Sequence, residues 1–326
     1  MNILVTGAAG YIGSVVSERL ISEGHTVYGI DNYDNSKPGG AYPGVNFTEG
    51  SILEREWLID YVAENPVDAV FHFAAEALIP ISMADPGRAF HKNITGSINL
   101  AEAMIKNNVK NLIFSSTAAC YGTPRNIPIK EDDPLDPINP YGESKLAFER
   151  MLPWYASAHG LRHVSLRYFN ACGATESRGE DRVYENHIIP IALEAIMGKR
   201  DHFSVFGTKY PTPDGTCVRD YVHVSDIAEA HILALKEMDI ANGKAYSLGS
   251  GKGYSVLELI ESVRRVTGKD LKVVMGDIRP GDPATLIASY EKIHTDLGWE
   301  PKIPELDDMV ESAYKWRVAH PNGYVV

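Results

Sequence analysis

Short apolar runs alternate with longer stretches of helical period through the first half of the chain. The apolar runs have the length of β-strands and lie at residues 2–6, 26–30, 68–73, 111–115 and 163–168. The stretches between them repeat apolar residues at helical spacing and lie at residues 11–23, 54–64, 87–106 and 141–159. Buried strands that are separated by helices indicate right-handed crossovers and a parallel sheet covered on both faces. The pattern predicts a doubly wound α/β fold.

The regular alternation stops near residue 170. A polar, glycine-containing loop follows at 172–182, a hairpin-like stretch lies at 210–215, and short elements fill the rest. We therefore expect a first domain over residues 1–169 and a smaller C-terminal, substrate-binding lobe over 170–326. The chain contains no low-complexity linker, so some segments of the second half are expected to return to the first domain.

A glycine motif follows the first predicted strand and opens the first predicted helix. Gly7, Gly10 and Gly13 allow a tight turn there and let backbone N–H groups contact a pyrophosphate at the helix N-terminus. Asp31 ends the second predicted strand, where a carboxylate accepts from the ribose 2′-hydroxyl of NAD and repels the 2′-phosphate of NADP. An isolated Asp31 would more often be a turn residue beside Asn32. The glycines upstream favour a Rossmann-type domain that binds NAD.

A phenol and an ammonium lie four residues apart in the predicted helix at 141–159. Tyr141 and Lys145 therefore share one helix face. A nearby fixed cation and the positive nicotinamide ring both favour phenolate, so Tyr141 is predicted to have a lowered pKa and to accept a proton. The preceding strand delivers the hydroxyl of Thr117 to the same edge of the sheet. A purely structural interpretation stays open, in which Tyr141 is an amphipathic residue beside a solvated Lys145 and Thr117 belongs to a turn at the end of a strand.

The charge balance narrows the classes of partner. The 326 residues carry a formal net charge of -12, from 43 acidic and 31 basic side chains, which disfavours nucleic acid and anionic membrane surfaces. No apolar run approaches the ~18 residues of a membrane span, and the first residues enter a strand without a signal-like segment. Three scattered cysteines without a Cys-x-x-Cys pair suggest neither zinc nor disulfides. We expect a cytoplasmic protein that holds no metal.

These motifs and several further segments resemble the UDP-galactose 4-epimerase family, within the extended short-chain dehydrogenase/reductase superfamily. The resemblance runs over nearly the whole chain, and the glycine and Tyr/Lys motifs identify only the superfamily. The segments that point to nucleotide-sugar binding more specifically are Arg219-Asp220-Tyr221 and Arg279-Pro280-Gly281-Asp282. Other matching segments are His72-Phe73-Ala74-Ala75, Arg167-Tyr168-Phe169-Asn170 and Leu297-Gly298-Trp299.

The resemblance implies two sets of binding residues and a subunit arrangement. NAD is implied to contact Gly7, Gly10, Tyr11, Ile12, Gly13, Asp31, Asn32, Ser51, Ile52, Phe73, Ala74, Asn93, Ser115, Lys145 and Tyr168. A UDP-sugar is implied to contact Thr117, Tyr141, Asn170, His187, Ser204, Val205, Phe206, Arg219, Arg279 and Leu286. The helices at 87–106 and 141–159 are implied to pair across a twofold axis in a homodimer.

The implied reaction is inversion of carbon 4 of a UDP-hexose through transient oxidation by NAD. Tyr141, helped by Thr117, takes the C4 hydroxyl proton and later returns it, with no net redox change. Leu286 stands at a gate that leaves open a UDP-hexose, a UDP-N-acetylhexosamine or a UDP-pentose. A 4,6-dehydratase is disfavoured because Ala118-Ala119 follow Thr117 in place of an acidic pair. A dehydrogenase that releases NADH stays open, whereas a non-catalytic nucleotide sensor would be expected to lose Tyr141 or Lys145.

Overall fold

The alternation of strands and helices is present in the computed structural model, which describes residues 1–278 and 282–324. The strands of these residues are β1 (Asn2–Thr6), β2 (Thr26–Asp31), β3 (Asn46–Glu49), β4 (Ala69–His72), β5 (Asn111–Thr117), β6 (Arg162–Tyr168), β7 (Asn170–Cys172), β8 (Phe203–Phe206), β9 (Val218–His223), β10 (Lys244–Leu248), β11 (Gly253–Ser255), β12 (Val273–Gly276) and β13 (Thr285–Leu286).

The helices of the same residues are α1 (Tyr11–Ser22), α2 (Arg55–Glu64), α3 (Ile79–Ala84), α4 (Pro86–Phe90), α5 (Gly96–Lys106), α6 (Pro140–His159), α7 (Ile188–Ile196), α8 (Val224–Lys236), α9 (Met238–Ala241), α10 (Val256–Thr267), α11 (Glu291–Leu297) and α12 (Leu306–Ala319). A wide helical turn at His91–Thr95 joins α4 to α5, and a tight turn at Ala118–Tyr121 follows β5. Within the described part of the chain, no helix combines the length and the apolar character needed to cross a membrane.

The large sheet has seven parallel strands in the order β10-β6-β5-β4-β1-β2-β3. Successive β1 residues point to opposite faces, so Ile3 and Val5 join one buried cluster and Leu4 joins another. Helices α1 and α8 cover the first face, and α2, α5 and α6 cover the second. The predicted doubly wound, Rossmann-type α/β fold is confirmed.

Sequence patterning located the nine elements that it predicted in the first half of the chain to within two residues at each end. It missed β3 (Asn46–Glu49), which lies at the sheet edge and carries a polar, half-exposed pattern instead of an apolar run. The predicted helix at 87–106 is present, but one of its turns, at His91–Thr95, is wider than an α-helical turn. The pattern also did not predict that β10, from the second half of the chain, pairs with β6.

The C-terminal part forms a smaller lobe around β9. This strand pairs with β7, β11 and β13, while β8 pairs with β12 in a separate ribbon. The lobe has its own buried cluster, which includes Phe203, Leu259 and Met309. The turn expected at 210–215 is closed by a hydrogen bond from the Tyr210 amide to the Gly215 carbonyl at 2.9 Å. The domain boundary at residue 169 stays a prediction. Helix α8 and strand β10 come after that residue in the chain but pack with the large parallel sheet.

Candidate active site

A large cleft runs along the carboxyl edge of the parallel sheet. Its walls come from the ends of β1, β2, β4 and β5, from the start of α6, and from the segments after β6. Ligands in open α/β sheets bind at this edge. The lining residues that the sequence singled out are Gly7, Gly10, Tyr11, Ile12, Gly13, Asp31, Asn32, Ser51, Ile52, Phe73, Ala74, Ser115, Thr117, Tyr141, Lys145, Tyr168, Asn170 and His187.

The glycine loop is packed so tightly that no side chain fits at Gly7 or Gly13. Gly7 has a φ of +75°, and a Cβ there would lie 2.8 Å from the Ala74 amide nitrogen. A Cβ on Gly13 would lie 2.1 Å from the Gly7 carbonyl oxygen. The loop can therefore bring the backbone of Gly10 and Tyr11 against a ligand at the N-terminus of α1. This cradle fits a dinucleotide diphosphate.

The carboxylate of Asp31 lies where β2 meets the cleft. Its oxygens accept hydrogen bonds from the Ala9 amide at 3.1 Å, the Tyr33 amide at 2.9 Å and the Ser36 hydroxyl at 2.7 Å. Burial raises the pKa of Asp31, and these three donors oppose that rise. The network fixes the carboxylate at the end of the cleft where a ribose hydroxyl would meet it.

The start of α6 places Tyr141 in the cleft. Asn139 caps the helix, its side-chain oxygen accepting from the Gly142 amide at 2.8 Å, and Pro140 occupies the first turn. Gly142 lets the helix approach β5 closely, since a Cβ there would lie 2.6 Å from the Ala119 carbonyl oxygen. The Tyr141 phenol consequently lies in the same cleft as the Thr117 side chain, which interacts with it and partly lowers its pKa. The structure thus brings together the phenol and the hydroxyl that the sequence paired.

The pKa of Tyr141 differs from the prediction, which expected it to be lowered. Burial raises the pKa of Tyr141 to about 12, and the Thr117 side chain lowers it only in part. The Lys145 ammonium donates to the Ser115 carbonyl at 2.8 Å and lies 4.8 Å from the centre of the Phe114 ring. Burial lowers the pKa of Lys145 to about 8. In the chain alone, desolvation therefore outweighs the expected lowering of the phenol pKa by Lys145.

The opposite wall carries Asn170, His187 and a cation that the sequence analysis missed. Arg182 lies on this wall, and its Nε donates to Glu180 Oε1 at 2.6 Å. His187 Nδ1 lies 2.8 Å from the same oxygen. Burial alone would lower the pKa of His187, but the Glu180 carboxylate raises it to about 9. The buried Glu180 in turn has its pKa lowered to about 2 by His187 and Arg182.

Several predicted binding residues lie outside the cleft. Asn93 is buried behind the wall, where it bonds the backbone of Glu76 at 2.7 and 3.0 Å and the Ser144 hydroxyl at 2.8 Å. These bonds occupy the side-chain amide of Asn93, so this residue supports the wall from behind. Val205 packs its side chain into the core of the lobe, between the partly buried Ser204 and the more exposed Phe206 on β8. The side chains of β8 do not line the cleft.

The remaining predicted substrate residues lie on β9 and β13. Arg219 forms an ion pair with Asp282 and donates to the Val218 carbonyl at 2.9 Å. Leu286 pairs with Arg219 in the β9–β13 register and packs near Ala118. Neither lines the cleft, and Arg279 lies outside the described residues. The uridine end of the predicted substrate site is therefore less closely assembled than the cofactor end.

Other lining residues carried no signal in the sequence. Besides Arg182, the cleft is lined by Asp34, Ser36, Lys92 and Asp181. Lys92 lies in the wide helical turn at His91–Thr95. The other four belong to loops or irregular turns, where no periodicity indicates which side chains point inward. Glu180, Glu185 and His187 could by distance hold a metal, since their ligand atoms lie within 4.8 Å of one another. The Arg182 guanidinium already binds one of these carboxylates, and we assign no metal to the group.

Comparison with known proteins agrees with this geometry. Residues 3–249 match the model of the NAD dependent epimerase/dehydratase family. The chain is 46% identical over 327 residues to a UDP-glucose 4-epimerase of Lacticaseibacillus casei, covering 99% of each chain. The structure of the Bifidobacterium longum UDP-glucose 4-epimerase in complex with NAD⁺ and UDP is 36% identical, with a TM-score of 0.94 over 99% of this chain and 100% of that one.

The name of a third similar protein includes two sugars. The structure of the UDP-Glc/GlcNAc 4-epimerase of Campylobacter jejuni is 35% identical, with a TM-score of 0.85 over 98% of this chain and 99% of that one. Sequence identity and fold therefore agree over essentially the full length, and the family model matches residues 3–249. The chain belongs to the NAD dependent epimerase/dehydratase family.

Proposed function

We propose that the protein is an NAD-dependent isomerase that interconverts UDP-glucose and UDP-galactose at carbon 4. The observation that carries the proposal is one cleft in which the Tyr141 phenol and the Thr117 hydroxyl interact beside the glycine loop. Full-length similarity to UDP-glucose 4-epimerases supports the same assignment. In this proposal the residues of the glycine loop, together with Asp31, hold NAD.

The chain's own residues transfer the proton and orient the sugar. NAD, when bound, supplies the reversible oxidation at the sugar carbon. Tyr141 receives the proton of the sugar hydroxyl and returns it, and Thr117 holds the phenol in line. Lys145 is held against the Ser115 carbonyl, where it fixes the end of β5 beside the reacting groups. The positive charge of oxidised NAD would favour phenolate and offset the burial that raises the pKa of Tyr141.

The test is a product analysis with the NAD-loaded protein. Incubation with UDP-galactose should yield UDP-glucose, and the reverse reaction should reach the same equilibrium mixture. Parallel incubations with UDP-N-acetylglucosamine and UDP-xylose test the other sugars that the Leu286 gate leaves open. Turnover of a UDP-N-acetylhexosamine or a UDP-pentose without turnover of either hexose would contradict the proposed substrate. Accumulation of NADH with substrate would indicate a dehydrogenase instead.

The raised pKa of His187 predicts a pH dependence of UDP binding. A group whose pKa is raised keeps its positive charge at neutral pH and loses it as the pH rises through about 9. A charge-assisted hydrogen bond contributes about 1.5–3 kcal/mol, so the affinity of the NAD-loaded protein for UDP should fall about tenfold or more above that pH. Isothermal titration calorimetry at several pH values measures this.

The control separates His187 from Lys145, whose pKa of about 8 lies nearby. A His187→Gln variant should bind UDP more weakly at neutral pH and should lose the decrease in affinity near pH 9. If the variant kept the full pH dependence of the unmodified protein, His187 would not be the group responsible.

We also propose a homodimer built from α5 and α6 of each subunit. Helix α6 carries Ala147, Met151, Trp154 and Ala158 at helical spacing on one side. The Trp154 side chain is 76% exposed, which is costly for so large an aromatic unless a partner covers it. This stripe supports the pairing of helices that the resemblance implies.

Replacing Trp154 with Glu tests the dimer. A buried carboxylate at the centre of a helix interface is strongly disfavoured, so the variant should be monomeric at micromolar concentration in light scattering. Ile240→Glu is the matched control, because Ile240 is 46% exposed on α9 and away from α6. A Trp154→Glu protein with the same mass as the unmodified protein would rule out this interface.

We further propose a cytoplasmic location. All three cysteines, Cys120, Cys172 and Cys217, are buried and free. Buried thiols of this kind are typical of proteins from reducing compartments. Fractionation of the source cells, followed by detection of the protein, tests the location directly.

A further inference from the structure

Arg182 presents hydrogen-bond donors on the cleft wall that no described residue uses. Its Nε donates to Glu180, but its two Nη groups have no hydrogen-bond acceptor within residues 1–278 and 282–324. The other cations that line the cleft are already committed. Lys145 donates to the Ser115 carbonyl, Lys92 pairs with Asp34, and His187 pairs with Glu180. The two Nη groups of Arg182 are therefore available to donate to a ligand.

The segment that carries Arg182 is anchored from several directions. The side chain of Asp181 accepts from Lys37 Nζ at 2.7 Å and from the Tyr324 amide at 2.8 Å. The carbonyl of Glu180 accepts from Arg317. The Glu180 carboxylate, only 6% exposed, fixes the plane of the Arg182 guanidinium through Nε. A side chain held in this way loses little conformational entropy when it binds a ligand.

Arg182 lines the same cleft as the glycine loop and Tyr141. Its charge opposes the rise in the pKa of the Tyr141 phenol that burial causes. Planar guanidinium donors match the paired oxygens of a phosphate group.

We propose that Arg182, oriented by Glu180, binds a diphosphate in the cleft through its Nη groups. The inference deepens the proposed function, since both ligands of that function carry a diphosphate. The bond is either to the diphosphate of the dinucleotide or to that of the sugar nucleotide. The chemistry is the same, and binding measurements distinguish the two sources.

The experiment compares Arg182→Gln and Arg182→Lys with the unmodified protein in two arms. In the first arm, the NAD-free protein is titrated with ADP-ribose and with adenosine. In the second, the NAD-loaded protein is titrated with UDP and with uridine. Loss of a charge-assisted bond should raise Kd for the diphosphate ligand of one arm about 10- to 100-fold in Arg182→Gln, with the nucleoside unchanged. Arg182→Lys should recover part of the affinity.

The matched control is Arg200→Gln, which removes an Arg–Glu pair with Glu194 in the same lobe but outside the cleft. It should bind all four ligands normally. Weakened ADP-ribose binding assigns Arg182 to the cofactor, and weakened UDP binding assigns it to the substrate. Unchanged binding of both diphosphate ligands, or an equal loss for the nucleosides, overturns the inference.

Two further measurements keep the result separate from the proposed function. If Arg182→Gln does not fold, as judged by circular dichroism, Arg182→Lys and Glu180→Gln give the same comparison, with smaller losses expected. Unmodified protein that binds both diphosphates but does not epimerise UDP-galactose contradicts the proposed function alone. Epimerase activity together with unchanged Kd values in the Arg182 variants contradicts this inference alone.

Discussion

Replacing Tyr141 with Phe should lower the turnover of UDP-galactose by about a thousandfold, within the range of 10²–10⁴ that a positioned acid–base group contributes. The variant removes only the hydroxyl that interacts with Thr117 in the cleft. The ring and the cap of α6 stay, so UDP should bind as tightly as before. The measurement is a coupled assay of UDP-glucose formation with calorimetry of UDP binding. A loss confined to kcat identifies an interaction made during the reaction.

The control for this variant is Tyr155→Phe. Tyr155 lies on the same helix but outside the cleft, with its ring 6.5 Å from that of His159. It should retain the turnover of the unmodified protein. Retention of most activity in Tyr141→Phe would show that another group moves the proton.

Replacing Gly13 with Ala should abolish stable NAD binding. The new Cβ would lie 2.1 Å from the Gly7 carbonyl oxygen, far inside van der Waals contact, so the loop or the helix must shift. Such a shift moves the backbone N–H groups away from the diphosphate. Each of these charge-assisted bonds contributes about 1.5–3 kcal/mol, so the loss of two raises the Kd for NAD about 100-fold or more. Absorbance of the purified protein and titration with NAD measure this.

Gly87→Ala is the matched control, because a Cβ there would lie 3.5 Å from Asp85 Oδ1, an ordinary contact. It should bind NAD normally. Thermal unfolding of both variants shows whether Gly13→Ala remains folded. A folded Gly13→Ala protein that binds NAD normally would disprove the role given to the glycine loop.

The fold could be predicted because its signals are local. The runs at β1 and β5 are apolar on both faces, and the residues that follow them reach one edge of the sheet by geometry alone. The same reasoning predicts that Thr117 and Tyr141 lie at this edge, and both line the cleft. These contacts depend on where strands end, and strand ends are visible in a sequence.

The parts that escaped prediction depend on long-range packing. Arg182 lies in a loop without periodicity, and its place in the cleft depends on contacts of Asp181 with Lys37 and Tyr324. Likewise, the pKa of Tyr141 was predicted from a neighbouring charge, whereas the structure shows that burial dominates. Desolvation depends on everything that surrounds a group, and a four-residue spacing does not reveal it.

The most direct test follows the hydrogen at carbon 4 during turnover in D₂O. The NAD-loaded protein is incubated with UDP-galactose, and the UDP-glucose formed is examined by proton NMR. Transient oxidation within a closed cleft predicts that the product keeps the original C4 hydrogen, with no deuterium from solvent. Deuterium at carbon 4 would contradict the account, because inversion would then proceed by exchange with water.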